Sequence, residues 1–137
     1  MSIGTILGIA GSGLSAQSQR ITLIAQNLAN ADSTTSPDGG PYQRRLPVFE
    51  AAPVQGGDGS RGLGVSLAAV LRDQTPPRAV YDPGNPAADA NGMIHEPAVN
   101  PVDEMVDMMQ AARSYQANLA IVQSARSAAT DTINLLK

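Results

Sequence analysis

Apolar residues fall into two long stripes, one at each end of the chain. Ile3, Leu7, Ala10, Leu14, Ile21, Ile24, Leu28 and Ala31 follow alternating steps of four and three, interrupted only by Gln17. Met105, Met108, Ala112, Tyr115, Leu119, Val122, Ala129, Ile133 and Leu136 follow the same rhythm, interrupted only by Arg126. Spacing of this kind, sustained so long, is the seam of a helix packed lengthwise on another helix. It predicts one helix over 2–31 and a second from Asn100 to Lys137.

The second helix has a clear start. Asn100 suits the N-cap, Pro101 the first helical position, and Asp103, Glu104 and Asp107 complement the positive end of the dipole. No Pro or Gly interrupts it afterwards. At about 1.5 Å per residue it spans roughly 50 Å, so it projects from the body or runs along something equally long. The polar face of the first helix carries Ser, Thr, Gln and Asn, with Arg20 its only charge. A face that is polar but uncharged fits a helix touching protein around most of its circumference. Gly4, Gly8, Gly11 and Gly13 each cost roughly 0.5–1 kcal/mol against Ala, so a loose terminal segment is the competing reading. Both hold if the termini order fully only on assembly.

Residues 32–99 contain nine of the 13 glycines and nine of the 10 prolines. Within them Tyr42–Phe49 and Leu63–Leu71 read as strands, joined through Gly56-Gly57-Asp58-Gly59-Ser60. Pro47 confines the first to a sheet edge. Ala79–Tyr81 is a third short strand, and Asp82–Gly92 is turn-rich without regular structure. The chain therefore divides into an N-terminal axial helix (1–31), a Gly/Pro-rich β-hairpin and loop insert (32–99) and a C-terminal axial helix (100–137). The fold class is mainly α with a small β-containing insert, the terminal helices pairing as a coiled-coil-like hairpin.

Composition narrows the function. A net charge of −3, one Phe, three Tyr and no Trp leave neither a basic face nor a stacking surface for nucleic acid. No cysteine is present, so there is no disulfide framework or thiolate metal site. The first sixteen residues are mostly apolar but lack a basic flank, and the first charge is Arg20. Neither a cleaved signal nor a membrane span is expected.

Candidate chemistry is thin. Residues 57–62 spell GxGxxG with Asp82 about twenty residues on, but the motif precedes a strand where a dinucleotide site needs it to open a helix. His95 is the only histidine, followed directly by Glu96-Pro97, so neither a catalytic triad nor a zinc site is indicated. Asp82, Asn85, Asp89 and Asn91 do not follow the alternation of a calcium loop and read as turn formers. Met105, Met108 and Met109 read as packing residues. No catalytic residue, cofactor, metal or small-molecule substrate is expected.

Five stretches in chain order resemble the flagellar basal-body rod protein C family. They are Asn27-Leu28-Ala29-Asn30-Ala31-Asp32, Gly40-Pro41-Tyr42-Gln43-Arg44-Arg45 and the run from Val80-Tyr81-Asp82-Pro83-Gly84-Asn85 to Asp89. Asn100 before Glu104-Met105-Val106 and Arg113-Ser114-Tyr115-Gln116-Ala117-Asn118 complete the set. Ser33 stands where the wider signature most often has Thr, and Asn85 where many members have His.

The resemblance implies a non-enzymatic subunit of the proximal rod. Such subunits leave the cytoplasm through the flagellar type III export apparatus without a cleaved signal. They polymerise with copies of themselves and with other rod proteins, meet the basal-body ring and transmit torque, the terminal helices forming the inner tube. On that basis Leu7, Leu14, Ile21, Ile24 and Leu28 face Met105, Met108, Tyr115, Leu119, Val122, Ile133 and Leu136, or their equivalents in neighbours. Asn27, Asn30 and Asn118 satisfy backbone groups where helix meets insert. Gln17 and Arg126 either set register or lie at the stripe's wet edge. Another axial rod subunit stays open as an alternative, as does an amphipathic membrane-surface protein, though residues 1–31 offer it only Arg20.

Overall fold

The computed structural model describes residues 2–37, 39–57 and 59–135, so Asp58 and Leu136 of the motifs above lie outside the described residues. Its elements are α1 (Ile3–Ala29), β1 (Arg45–Gln55), β2 (Arg61–Arg72), β3 (Arg78–Tyr81), β4 (Met93–Glu96) and α2 (Pro101–Leu135). Both helices begin on side-chain caps. The Ser2 hydroxyl accepts the Gly4 N–H at 3.2 Å, and Asn100 Oδ1 accepts the Val102 N–H at 3.0 Å. Asn30 closes α1, its amide Nδ2 donating to the Gln26 carbonyl at 2.8 Å. Among the described residues no helix is long and apolar enough to cross a membrane.

α1 is the middle layer. The β1–β2 ribbon and α2 each pack on α1, and not on one another at backbone range. The dimensions match: Thr5 to Asn27 along the helix and Arg45 to Gln55 along the strand both span about 33 Å. The ribbon therefore covers α1 from end to end. Its tip touches the start of the helix, where the Thr5 and Ser60 hydroxyls share a hydrogen bond, and its base meets Asn27. Thr5, Gly8 and Ser12 lie under the ribbon, whereas Ser15, Ser18, Gln19 and Thr22 of the uncharged polar face stay exposed in the single subunit. A Cβ on Gly8 would collide with Val54, and one on Gly62 would lie 2.8 Å from Thr5 and Ile9. Gly13 performs the same service towards α2, where a Cβ would come within 2.8 Å of Asn118 Nδ2. Two of the four glycines that suggested looseness thus permit close packing, whereas Gly11 faces open space.

β1 and β2 are antiparallel, with a bulge where Val48 opposes Ala69 but Phe49 opposes Leu67. β1 starts three residues later than the sequence pattern suggests and continues to Gln55, because Tyr42 and Arg44 turn inward to the helices. Two prolines are accommodated by parity. The N–H and C=O of Arg45 bond Asn27 and so point away from β2, which places Pro47, two residues on, on the same outer side. The Val65 N–H likewise points outward, to the Ser12 hydroxyl at 3.1 Å. Its partner Ala51, and hence Pro53, also sit where the ladder needs no donor.

β3 and β4 form a separate antiparallel pair, Arg78 opposite Glu96 through Tyr81 opposite Met93. β4 was not evident in the sequence: four residues offer too little alternation. The turns between them are held by Asp89, whose Oδ1 accepts the N–H groups of Asn91 at 2.7 Å and Met93 at 3.0 Å.

Candidate assembly surface and its polar clasp

Where α1, the insert and α2 meet, one amide connects all three. Asn27 is buried, and its side chain uses its full hydrogen-bonding capacity. Nδ2 donates to the Arg45 carbonyl at 3.0 Å and to Glu104 Oε2 at 3.1 Å. Oδ1 accepts the Arg45 N–H at 2.8 Å and the Tyr42 hydroxyl at 2.9 Å. Burial pushes the Tyr42 phenol above its ordinary value, against the pull of the nearby Arg45 charge.

Glu104 is the other buried member, only 1% exposed. Its second oxygen accepts from Arg44 Nε, and Arg44 Nη2 reaches Asp107 Oδ2 at 3.2 Å. Asp107 also receives Arg20 Nη2 at 3.5 Å. The two acids at the start of α2 therefore do more than complement its dipole; they bind arginines from the insert and from α1. Glu104 and Ala111 are the buried residues of the 35-residue α2. Burying a methyl group is worth about 1 kcal/mol, whereas an unpaired buried carboxylate costs several. Glu104 therefore depends on Arg44 and Asn27 to satisfy its charge inside the α1–α2 contact.

The helices run in opposite directions, Gly13 against Asn118 and Asn27 against Glu104, each pair of positions fourteen residues apart. On α2 the inward positions are Glu104, Ala111, Asn118 and Ala125, one residue before Met105, Ala112, Leu119 and Arg126 of the sequence stripe. Small and polar residues thus face α1. Met105 stays 47% exposed, Leu119 38% and Ile133 59%. Tyr115 is also exposed, while Met108 and Val122 are half-buried on the shared side of the two registers. On α1, Ile24 is buried, and Leu7, Leu14, Ile21 and Leu28 are half-buried. Helical periodicity sets those four on the flank of α1 away from the ribbon-facing residues Thr5, Gly8 and Ser12. In an antiparallel pair this flank lies beside that of Met105, Leu119 and Ile133. One side of the helix pair is covered by the ribbon and the other presents a line of large apolar side chains. Val102, Val106 and Met109 extend the exposed apolar surface at the start of α2.

The remaining sequence candidates are scattered. Asn30 lies at the end of α1, where Ser33 Oγ donates to its Oδ1 at 3.2 Å. Asn118 lies between the helices and not where helix meets insert. Tyr81, Asp82 and Pro83 are exposed on the outer hairpin, with Tyr81 and Pro83 over Gly92, whose φ is +73°. Ser114 and Gln116 are exposed on α2. Gln17 keeps its side-chain oxygen buried without a hydrogen-bond partner among the described residues, and Arg126 is exposed. His95 is exposed on β4, 3.9 Å from Asp89. Of the GxGxxG residues, Gly57, Gly59 and Ser60 lie between the two strands, and Arg61 and Gly62 open β2. Arg44 and Glu104 were missed as a pair; an acid on the inward side of an otherwise small-residue helix face was the available signal.

The ends of the chain match known sequence families. Residues 7–37 match a profile described as flagella basal body rod protein, and residues 90–135 one described as flagellar basal body rod FlgEFG protein C-terminal. Over its whole length the chain is similar to proteins named flagellar basal-body rod protein FlgC. The Salmonella typhimurium protein is 47% identical over 135 residues, 98% of each chain. That of Yersinia enterocolitica is 45% identical over the same shares. The Agrobacterium fabrum protein is 43% identical, covering 94% of this chain and 91% of its own.

Proposed function

The chain belongs to the flagellar basal-body rod protein FlgC family, structural components of the flagellar rod, and from that premise we propose that it polymerises through α1 and α2. It acts in the basal body together with other rod components. In this reading 1–31 and 100–137 form the axial layer, paired as a coiled-coil-like hairpin, and 32–99 lies outside it. The observation that carries the reading is the line of exposed large apolar residues, Met105, Leu119 and Ile133, on the side of the helix pair that the ribbon leaves open. Surface of this kind, continuous along a helix, marks a protein contact. Neighbouring copies and other rod proteins cover it, and the termini reach full order only then. The subunit has no catalytic role, leaves the cytoplasm through the flagellar type III apparatus without a cleaved signal, meets the export apparatus and the basal-body ring, and passes torque along the rod.

The test is a motility complementation with Leu119→Asp and Leu28→Asp. Loss of swimming with normal amounts of exported subunit is expected; normal swimming in both would overturn the reading.

A further inference from the structure

Arg44 lies in the insert, between α1 and β1, yet its guanidinium ends on α2. The β1–β2 ribbon itself does not pack on α2, so Arg44 brings the insert to bear on a helix that neither strand of the ribbon reaches at backbone range. We propose that Arg44 is the positioning residue of the helix pair: α2 is stable against α1 only once the insert has delivered that guanidinium to Glu104. Two features argue for it. Glu104 sits within the α1–α2 contact, its Oε2 on Asn27 and its Oε1 on Arg44, so removing Arg44 leaves a buried carboxylate half satisfied. Around it the apolar cover from α2 is thin: Met105, Val106 and Met109 are 47%, 43% and 56% exposed, which leaves half-buried Met108 and the small, buried Ala111 as its nearest apolar contacts.

The inference rests on the reading of the helix pair as the assembling element, and adds that the insert controls when the pair forms. A subunit whose insert is unfolded would then lack the paired helices, which keeps incomplete chains out of the polymer. The pair is a check on the fold of the whole subunit, built from one ion pair.

The full chain, kept dilute and monomeric, decides this by amide hydrogen exchange over 104–111 and over β1. Arg44→Met should accelerate exchange at 104–111 by about a hundredfold or more. Glu104→Met should not, because it removes the carboxylate that needs a partner. The double variant should return to the Glu104→Met rate. Unchanged exchange in Arg44→Met, or a double variant as fast as the single, would overturn the proposal. Should Arg44→Met fail to fold at all, recovery of native circular dichroism in the double variant supports it and no recovery overturns it. Because exchange is read on the monomer, a rod that assembled through other surfaces would leave these outcomes unchanged.

Discussion

Gly8 of α1 and Val54 of β1 meet so closely that no side chain fits between them. The ribbon rests on the helix backbone at that point, and the absence of a Cβ sets the distance between the two layers. Gly8→Ala should destabilise the chain by about 1–3 kcal/mol through overpacking. Gly11, one turn away in open space, should behave oppositely: Gly11→Ala should stabilise by about 0.5–1 kcal/mol through helix propensity. Urea unfolding of the two variants side by side checks both signs, and equal effects would mean the ribbon does not seat on α1.

Asn27 occupies a site that a short aliphatic side chain cannot serve. Asn27→Ala strands the Arg45 N–H and C=O, the Tyr42 hydroxyl and one oxygen of Glu104. A loss of about 2–4 kcal/mol is expected in urea unfolding, with the m-value unchanged.

Tyr42 makes stability fall at high pH. Its folded pKa is raised above the ordinary 10.0 because burial disfavours the phenolate. The contribution is therefore fully present below about pH 10 and is lost as pH rises through the folded value. The urea midpoint should hold steady from pH 7 to 9 and drop above 10. In Tyr42→Phe that drop should shrink, at the expense of a lower midpoint at pH 7.

Much of this architecture was legible in the chain, and the parts that were not share a cause. Stripe spacing and the Asn100-Pro101 start gave two long helices because both signals are local, depending on residues within one or two turns. The direction each face points is not local. Glu104 and Met105 are adjacent, and a one-residue change of register decides which is buried; the winning choice depends on Arg44, sixty residues earlier. The glycines of α1 could be read as softness or as close packing, and only the presence of the ribbon selects the second for Gly8. β4 escaped because its structure comes from pairing with β3 and from Asp89, not from its own four residues.

Leu119 is accessible in the single subunit, so its substitution separates folding from assembly. Leu119→Asp should leave the unfolding free energy of the dilute chain within about 0.5 kcal/mol of the parent. In the parent, helicity by far-UV circular dichroism should rise with concentration in step with sedimentation; in Leu119→Asp neither should rise. A parent that is fully helical when dilute and never associates would argue against helix-driven polymerisation.

Pro47 and Pro53 leave the outer margin of β1 without two of the donors that an incoming strand would seek. On the other margin, Ser12 occupies the Val65 N–H. The ribbon is thus a poor template for sheet growth, even where many copies crowd together. Chains of this kind can be concentrated without sticking edge to edge, and the order in which they join is left to their helices.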